Sequence, residues 1–428
     1  MEGFLLQASM YLGAAVLIVP LTVRLGLGSV LGYLAAGILV GPILGLAGAE
    51  TKDLQHFAEF GVVLMLFLIG LELEPRTLWD MRHRLLGLGG AQVGLTTLAI
   101  AALMMSLGLA WQVALTLGLV MSLSSTAIVL QTLTEKHLMR TAGGRSSFSV
   151  LLTQDIAVVP MLAFLPLLAL PPLSGPIAQQ FGITNPVEAE AGSVEHAAEP
   201  LMTLVDQLPN WAVTGLTLAI VAGIVLVGHF LTRPVFRFVH ASRLPEMSTF
   251  ISLLIVLGIA FLMMLVGLSP ALGTFVAGVV LANSEFRHQI EADIKPFKGL
   301  LLGLFFMTVG IGIDTRTLFH HPVTILGLTL GLIAVKAGVL FALGWLFRLR
   351  GHDRWLFALG LAQAGEFGFV LISFARQQGI LSLAQGQIAL LVISLSMLLT
   401  PALFIAYERL AARLRARTPE RAPDEIDE

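Results

Sequence analysis

Asp155, Lys336 and Glu366 are ionisable side chains set within long apolar runs. Charges at bilayer depth are rare and usually functional. At about 1.5 Å rise per residue, Asp155 lies about 15 Å beyond Arg145 and Lys336 about 18 Å short of Arg348. Glu366 stands midway between Arg354 and Arg376, so the three fall near one plane. Ser122-Leu123-Ser124-Ser125-Thr126 lies at the same depth, as does Gln363-Ala364-Gly365-Glu366-Phe367-Gly368. Hydroxyl-rich and glycine-rich stretches inside an apolar run suggest broken helices, whose free carbonyls and helix ends coordinate ions. Gln154 precedes Asp155, and Pro160 beyond it disturbs the helix and frees backbone groups. A carboxylate, an amide, hydroxyls and carbonyls together suit a hard monovalent cation. A carboxylate in a partly desolvated site also takes up a proton, so cation and proton compete for it. The expected ion- and proton-binding set is Asp155, Gln154, Ser124, Ser125 and Thr126. Lys336 is read either as a structural counter-charge, pairing with Asp155, or as a group that competes with the cation for it. Glu366 is expected to support a broken helix, since a carboxylate suits a helix N-terminus. The three hydroxyls could instead bond back to helix carbonyls.

The elements that position these groups follow from composition. Of 428 residues, 56% are hydrophobic and 12% charged, with mean hydropathy +0.89. Soluble domains average about 25% charged residues. A net charge of −2 provides no basic footprint for nucleic acid. The absence of cysteine excludes disulfides, thiol nucleophiles and Cys-ligated metals. The histidines lie mostly in loops without metal-ligand spacing, and no nucleophile–base pair stands out, so an enzyme is not expected. Residues 1–20 lack a basic leader and a cleavage site and read as the first span.

A spanning helix needs about 20 apolar residues. Thirteen candidates run near 4–23, 28–47, 57–73, 85–107, 112–134, 147–170, 211–231, 248–266, 269–284, 299–315, 322–347, 354–375 and 384–407. Of the 25 Lys and Arg, only Lys52, Arg316 and Arg376 fall in one set of alternate loops, and Lys336 lies inside a span. All the others fall in the opposite set. By the positive-inside rule the N-terminus is outside and the C-terminus cytoplasmic. The acidic stretch 171–210, without Lys or Arg, belongs on the outer face.

The halves resemble each other at an offset of about 241 residues. Residues 31–39 match 272–280, Gly70 to Glu74 match Gly310 to Asp314, and 117–119 match 359–361. Two six-span repeats, 4–170 and 248–407, joined by a linker helix at 211–231, are therefore inverted, a common design of secondary transporters. The expected fold is an all-α membrane protein with crossed broken helices over residues 1–407, followed by a cytoplasmic tail at 408–428.

At these residues the chain resembles the cation:proton antiporter-2 family, and within it the Kef-type glutathione-regulated potassium-efflux transporters. The resemblance rests on 61–75, Ser122 to Ala127, Gln154-Asp155-Ile156-Ala157 and 288–300. It covers essentially the whole chain and implies a sodium/proton antiporter-like fold and K+/H+ exchange at Asp155, in the bacterial inner membrane among lipid. It also implies that Lys336 matches the basic residue of the corresponding helix in relatives. Sodium/proton relatives usually carry two adjacent aspartates where this chain has Gln154-Asp155, which leaves one negative charge and fits electroneutral exchange. Stretch 287–298, with His288, Glu291, Asp293 and Lys295, resembles the family's regulatory loop, although Lys295 stands where an acidic residue is usual. Family members form homodimers and continue into a soluble nucleotide-binding domain that responds to glutathione adducts. No glycine-rich fingerprint follows residue 407, so a transport domain alone is expected, with nucleotide and glutathione acting only alongside the missing domain. The alternatives are a sodium/proton antiporter of the same fold, a bile-acid-type symporter of related fold and a gated potassium channel.

Overall fold

The computed structural model describes residues 2–45, 51–72, 85–168, 244–265, 270–282 and 284–417, together with 223, 234–236 and 238. Regular structure among them is entirely helical. The first half runs α1 (Glu2–Arg24), α2 (Gly28–Ile38, extended by a π turn to Ile43), α3 (Thr51–Glu72), α4 (Gly90–Ser106, entered by a π turn from Leu85), α5 (Trp111–Ser122), α6 (Thr126–Glu135) and α7 (Ala142–Phe164, ending in a 3-10 turn to Leu168). The second half runs α8 (Pro245–Leu265), α9 (Pro270–Leu281), α10 (Arg287–Ile311), α11 (Thr315–His320), α12 (Pro322–Leu346), α13 (Gly351–Gly360), α14 (Phe367–Gln377), α15 (Leu383–Leu398) and α16 (Thr400–Arg417). Six of these runs are long and apolar enough to cross a membrane, or seven if the α15–α16 pair, bent by 41°, is one span. The expected linker helix at 211–231 (Gly223 apart), the loop 171–210 and the tail from 418 lie outside the described residues.

Local chemistry sets the ends. Ser382 and Gln385 form a reciprocal capping box at the start of α15. Gly26, Gly108 and Gly379 take positive φ just past α1, α4 and α14, where a left-handed residue closes a helix end. Asp314 caps α11, accepting from Arg316 N at 2.9 Å and Thr317 Oγ1 at 2.6 Å.

Two expectations are corrected. Stretch 287–298 is no loop: it forms the first three turns of α10, with Pro296 inside the helix. Ile290 and Ile294 are fully buried on its inner face, so the helical apolar spacing extends well before residue 299. The final span is also not a single run over 384–407. It bends at Leu399, and its helix continues to Arg417, with Glu408 ion-paired to Lys136 beyond α6.

The helices pack as two bundles. One holds α1, α2, α3, α8, α9 and α10; the other holds α4, α5, α7 and α12 to α16. Backbones approach closely in the first. A Cβ on Gly37 of α2 would lie 2.1 Å from the Met307 carbonyl oxygen of α10, and one on Gly310 would lie 2.4 Å from the Leu34 carbonyl oxygen. Where α3 crosses α9, a Cβ on Gly70 would lie 2.3 Å from the Phe275 carbonyl oxygen, and one on Gly278 2.2 Å from that of Phe67. Small residues permit this approach. Gly37→Ala or Gly278→Ala must push two backbones apart and is expected to destabilise the protein by about 1–3 kcal/mol, read as a lowered thermal midpoint in detergent.

Candidate functional site

Two helices that begin in the second bundle, α5 and α13, break off in mid-course. α5 stops at Ser122, its cap residue Leu123 turns extended (φ −73°, ψ 151°), and α6 restarts at Thr126. α13 stops at Gly360, and α14 restarts at Phe367. The two breaks meet. A Cβ on Gly365 would lie 2.6 Å from the Ser124 carbonyl, so only glycine admits this contact. Ser124 Oγ donates to the Leu361 carbonyl at 2.8 Å. Ser122 to Ser125 and Leu361 to Gly365 are all buried. Their unwound backbone therefore needs partners from within the protein.

Lys336 supplies several. Its ammonium, 0% exposed, donates to the Leu123 carbonyl at 2.6 Å, Ser124 Oγ at 3.1 Å and the Gln363 carbonyl at 2.7 Å. One side chain of α12 thus ties both breaks together. Among the described residues no carboxylate is among its hydrogen-bond partners, so the alternative that pairs it with Asp155 has no direct contact behind it. An ammonium carries three donors and no acceptor, and three oxygens converge on it here.

Gln154 also departs from expectation. Its Oε1 accepts from Ser124 N at 2.7 Å, and its Nε2 donates to Gln92 Oε1 at 2.7 Å. Gln92 Nε2 in turn donates to the Ser122 carbonyl and to Thr96 Oγ1, both at 3.1 Å. Gln154 therefore fastens the first break to α4 and α7, with its polar atoms committed to protein. Gln92 went unnoticed in the sequence, although it is the single amide of stretch 85–107 and so carried a visible signal. Gln154→Ala orphans the buried Ser124 N–H and the Gln92 carbonyl oxygen. The expected loss is about 1–3 kcal/mol, measured by thermal unfolding.

Asp155, the next residue along α7, is half-buried rather than fully buried. Thr126 Oγ1 lies 3.0 Å from its Oδ1 and 3.2 Å from its Oδ2, so the first residue of α6 donates to the carboxylate. Ala127 beside it is exposed, so this end of α6 opens outward from the core. Pro160 lies one turn further along α7, where it removes the amide that would bond the Ile156 carbonyl.

Glu366 does not cap its own helix α14. It reaches across to α6, where Ala127 N faces its Oε1 at 3.5 Å and the Ser125 hydroxyl adjoins the carboxyl. Ser125 is the N-cap of α6, accepting from Ile128 N at 3.4 Å. The N-terminus of α6 is thus flanked by Asp155 through Thr126 and by Glu366 through Ala127, which its helix dipole favours. Among the described residues, the other Glu366 oxygen and both polar atoms of the Gln363 side chain are buried without a hydrogen-bond partner. Ser396 of α15 braces the second break, donating to the Ile393 carbonyl at 2.8 Å while accepting from Ala364 N at 3.0 Å. Only the fold reveals that contact. Among the described residues no group of three or more His, Asp or Glu side chains could hold a metal ion.

The stretch expected to be regulatory stands apart, on α10. Asp293 accepts from Ser248 Oγ at 2.6 Å and Ser252 Oγ at 3.2 Å of α8, and Gln289 Nε2 donates to Ser248 Oγ at 2.8 Å. Asp293 therefore clamps α10 to α8. His288 and Lys295 are exposed, and His288 Nδ1 lies 3.9 Å from Glu291.

Residues 12–405 match the family of sodium/hydrogen exchanger transmembrane domains. The chain is 42% identical over 424 residues to the glutathione-regulated potassium-efflux system protein KefC of Cronobacter sakazakii (strain ATCC BAA-894). It is 43% identical over 425 residues to the KefC protein of Escherichia coli O45:K1 (strain S88 / ExPEC). Each alignment covers 99% of this chain and 63% of the relative, so the chain spans under two thirds of their length. Among solved structures, the sodium proton antiporter MjNhaP1 from Methanocaldococcus jannaschii superposes with a TM-score of 0.56 at 15% identity, covering 97% of this chain and 99% of that one. At that identity the likeness establishes the fold alone.

Proposed function

The chain belongs to the sodium/hydrogen exchanger family of membrane proteins, and on that premise we propose that it exchanges potassium for protons, with Asp155 as the group for which the two ions compete. The observation that carries this reading is the placement of Asp155. It is a half-buried carboxylate in hydrogen-bond contact with a helix that begins at a break. The choice of potassium rests on the 42% and 43% identity to proteins named for potassium efflux.

With a proton bound, Asp155 is neutral. With a cation bound, its negative charge is offset by the ion, and the Thr126 hydroxyl can turn a lone pair toward it. Lys336 is committed to the breaks, so it does not neutralise Asp155 by direct contact. α7 and α6 also border the first bundle, through α9 and α2 respectively. Relative movement of the two bundles would expose Asp155 to one side or the other. If only the occupied site moves, one proton exchanges for one cation.

The finer architecture belongs to the same proposal: thirteen spans in two inverted repeats, the N-terminus outside, an inner-membrane location and a homodimer. The close glycine contacts support the repeat. The offset of about 241 residues relates Gly37 to Gly278 and Gly70 to Gly310. Gly37 packs on Gly310, and Gly278 packs on Gly70. One contact is therefore the image of the other. Control by glutathione and nucleotide, through the exposed face of 287–298, is proposed for the longer protein.

Proton movement in proteoliposomes, driven in turn by potassium, sodium or rubidium gradients, tests the reading. Coupled movement with potassium, undiminished by excess sodium, is the expected result. Preference for sodium would make the chain a sodium/proton antiporter, and uncoupled potassium flux would make it a channel.

A further inference from the structure

An apolar groove lies between α4 and α12, with a volume of 590 Å³, and Asp155 is not among its lining residues. Leu95 and Leu98 of α4 line it, with Val339, Ala342, Trp345 and Leu346 of α12. Leu98 is 63% and Trp345 67% exposed. The groove reaches the end of α12, where a Cβ on Gly87, before α4, would lie 3.9 Å from the Phe347 ring. Tryptophan at a span end is a marker of the membrane–water interface.

The turn that closes α12 is one of two among the described residues that place a non-glycine residue in the left-handed region. Arg348 N donates to the Trp345 carbonyl at 3.1 Å, and Leu349 N donates to the Gly344 carbonyl at 2.8 Å. This is the paired bonding of a Schellman cap, whose left-handed position is normally glycine. The same pairing closes α1, α4 and α14 with glycine there, and α6 with His137 at φ 55°. After α12 the position is held by Arg348 at φ 61°. A bulky residue in that conformation is strained, and such strain tends to persist at ligand clamps.

Arg348 and Arg350 are exposed, and neither side chain has a hydrogen bond or ion pair among the described residues. The neighbouring charges are engaged. Arg354 Nε donates to the Leu349 carbonyl at 3.0 Å, and its guanidinium lies over Phe341, 5.2 Å from the ring centroid. Asp353 accepts from Gly143 N at 3.0 Å.

We infer that this corner is a binding site for an anionic phospholipid, with one acyl chain in the α4–α12 groove and the phosphate on Arg348 and Arg350. An apolar slot that opens laterally at bilayer depth admits a chain. Two arginines without an ion pair among the described residues stand just beyond its α12 end and select a negative headgroup, as basic pockets at span ends do. The inference rests on the chain crossing a membrane and not on its ion selectivity.

The test is thermal unfolding in nanodiscs of phosphatidylcholine, with and without phosphatidylglycerol. The wild-type midpoint is expected to rise by several degrees with phosphatidylglycerol. Arg348→Gly relieves the strained cap, so its midpoint in phosphatidylcholine should rise while most of the phosphatidylglycerol increment disappears. Ala342→Phe fills the groove and should also lose the increment. Equal wild-type midpoints in the two lipids would overturn the site. So would a full increment in either variant, or an equal rise with soluble glycerophosphate, which carries no chain. A change of oligomeric state in Ala342→Phe with its lipid response intact would assign the groove to a second copy and overturn the lipid reading.

Discussion

Asp155→Asn is expected to reduce potassium-driven proton movement in proteoliposomes to the level of empty vesicles. The amide matches the carboxylate in shape and can still accept from the Thr126 hydroxyl, 3.0 Å from Oδ1 in the wild type. The helices should therefore keep their places, and the thermal midpoint should change little. The amide can neither take up a proton in the working pH range nor offset the charge of a cation. Both occupied states are lost together. Thr126→Val removes the hydroxyl but keeps the carboxylate, so exchange should persist with weakened cation affinity. Unchanged exchange in Asp155→Asn would remove this carboxylate from the mechanism.

The helices were legible because each depends on local apolar runs, and the helix ends on nearby residues such as Ser382 and Gln385. The breaks were legible for the same reason. Ser122 to Thr126 and Gln363 to Gly368 are poor helix interiors whatever surrounds them. Their partners were not legible. Lys336 finds its acceptors 213 and 27 residues away, and Glu366 finds Ala127 at a separation of 239. Depth along a helix placed these groups in one plane, but depth does not give the rotation that points a side chain at one neighbour rather than another. Gln154 and Asp155 are adjacent in sequence and about 100° apart around the helix, so one faces the α4 amide network and the other faces Thr126. A reading by residue type grouped them as joint ligands. Stretch 287–298 misled in a different way: its charges suggested a loop, whereas Ile290 and Ile294 hold it helical.

Lys336→Ala is expected to produce the largest loss of stability of any single change near the site. It removes the donor from the buried Leu123 and Gln363 carbonyls at once, and also the proton that reaches Ser124 Oγ. Each orphaned buried acceptor costs about 1–3 kcal/mol, so a loss of several kcal/mol is expected. Had Lys336 served only to compete with the cation for Asp155, its removal would tighten cation binding and leave the fold unaffected. The two roles therefore separate in one experiment: thermal unfolding and potassium-dependent exchange of Lys336→Ala, each repeated with added methylammonium. The vacated cage has three oxygens at ammonium distances, so methylammonium should recover part of the lost midpoint in the variant and leave the wild type unchanged. A variant with wild-type stability and tightened potassium binding would show that the lysine acts on Asp155 after all, and that its bonds to the breaks are incidental.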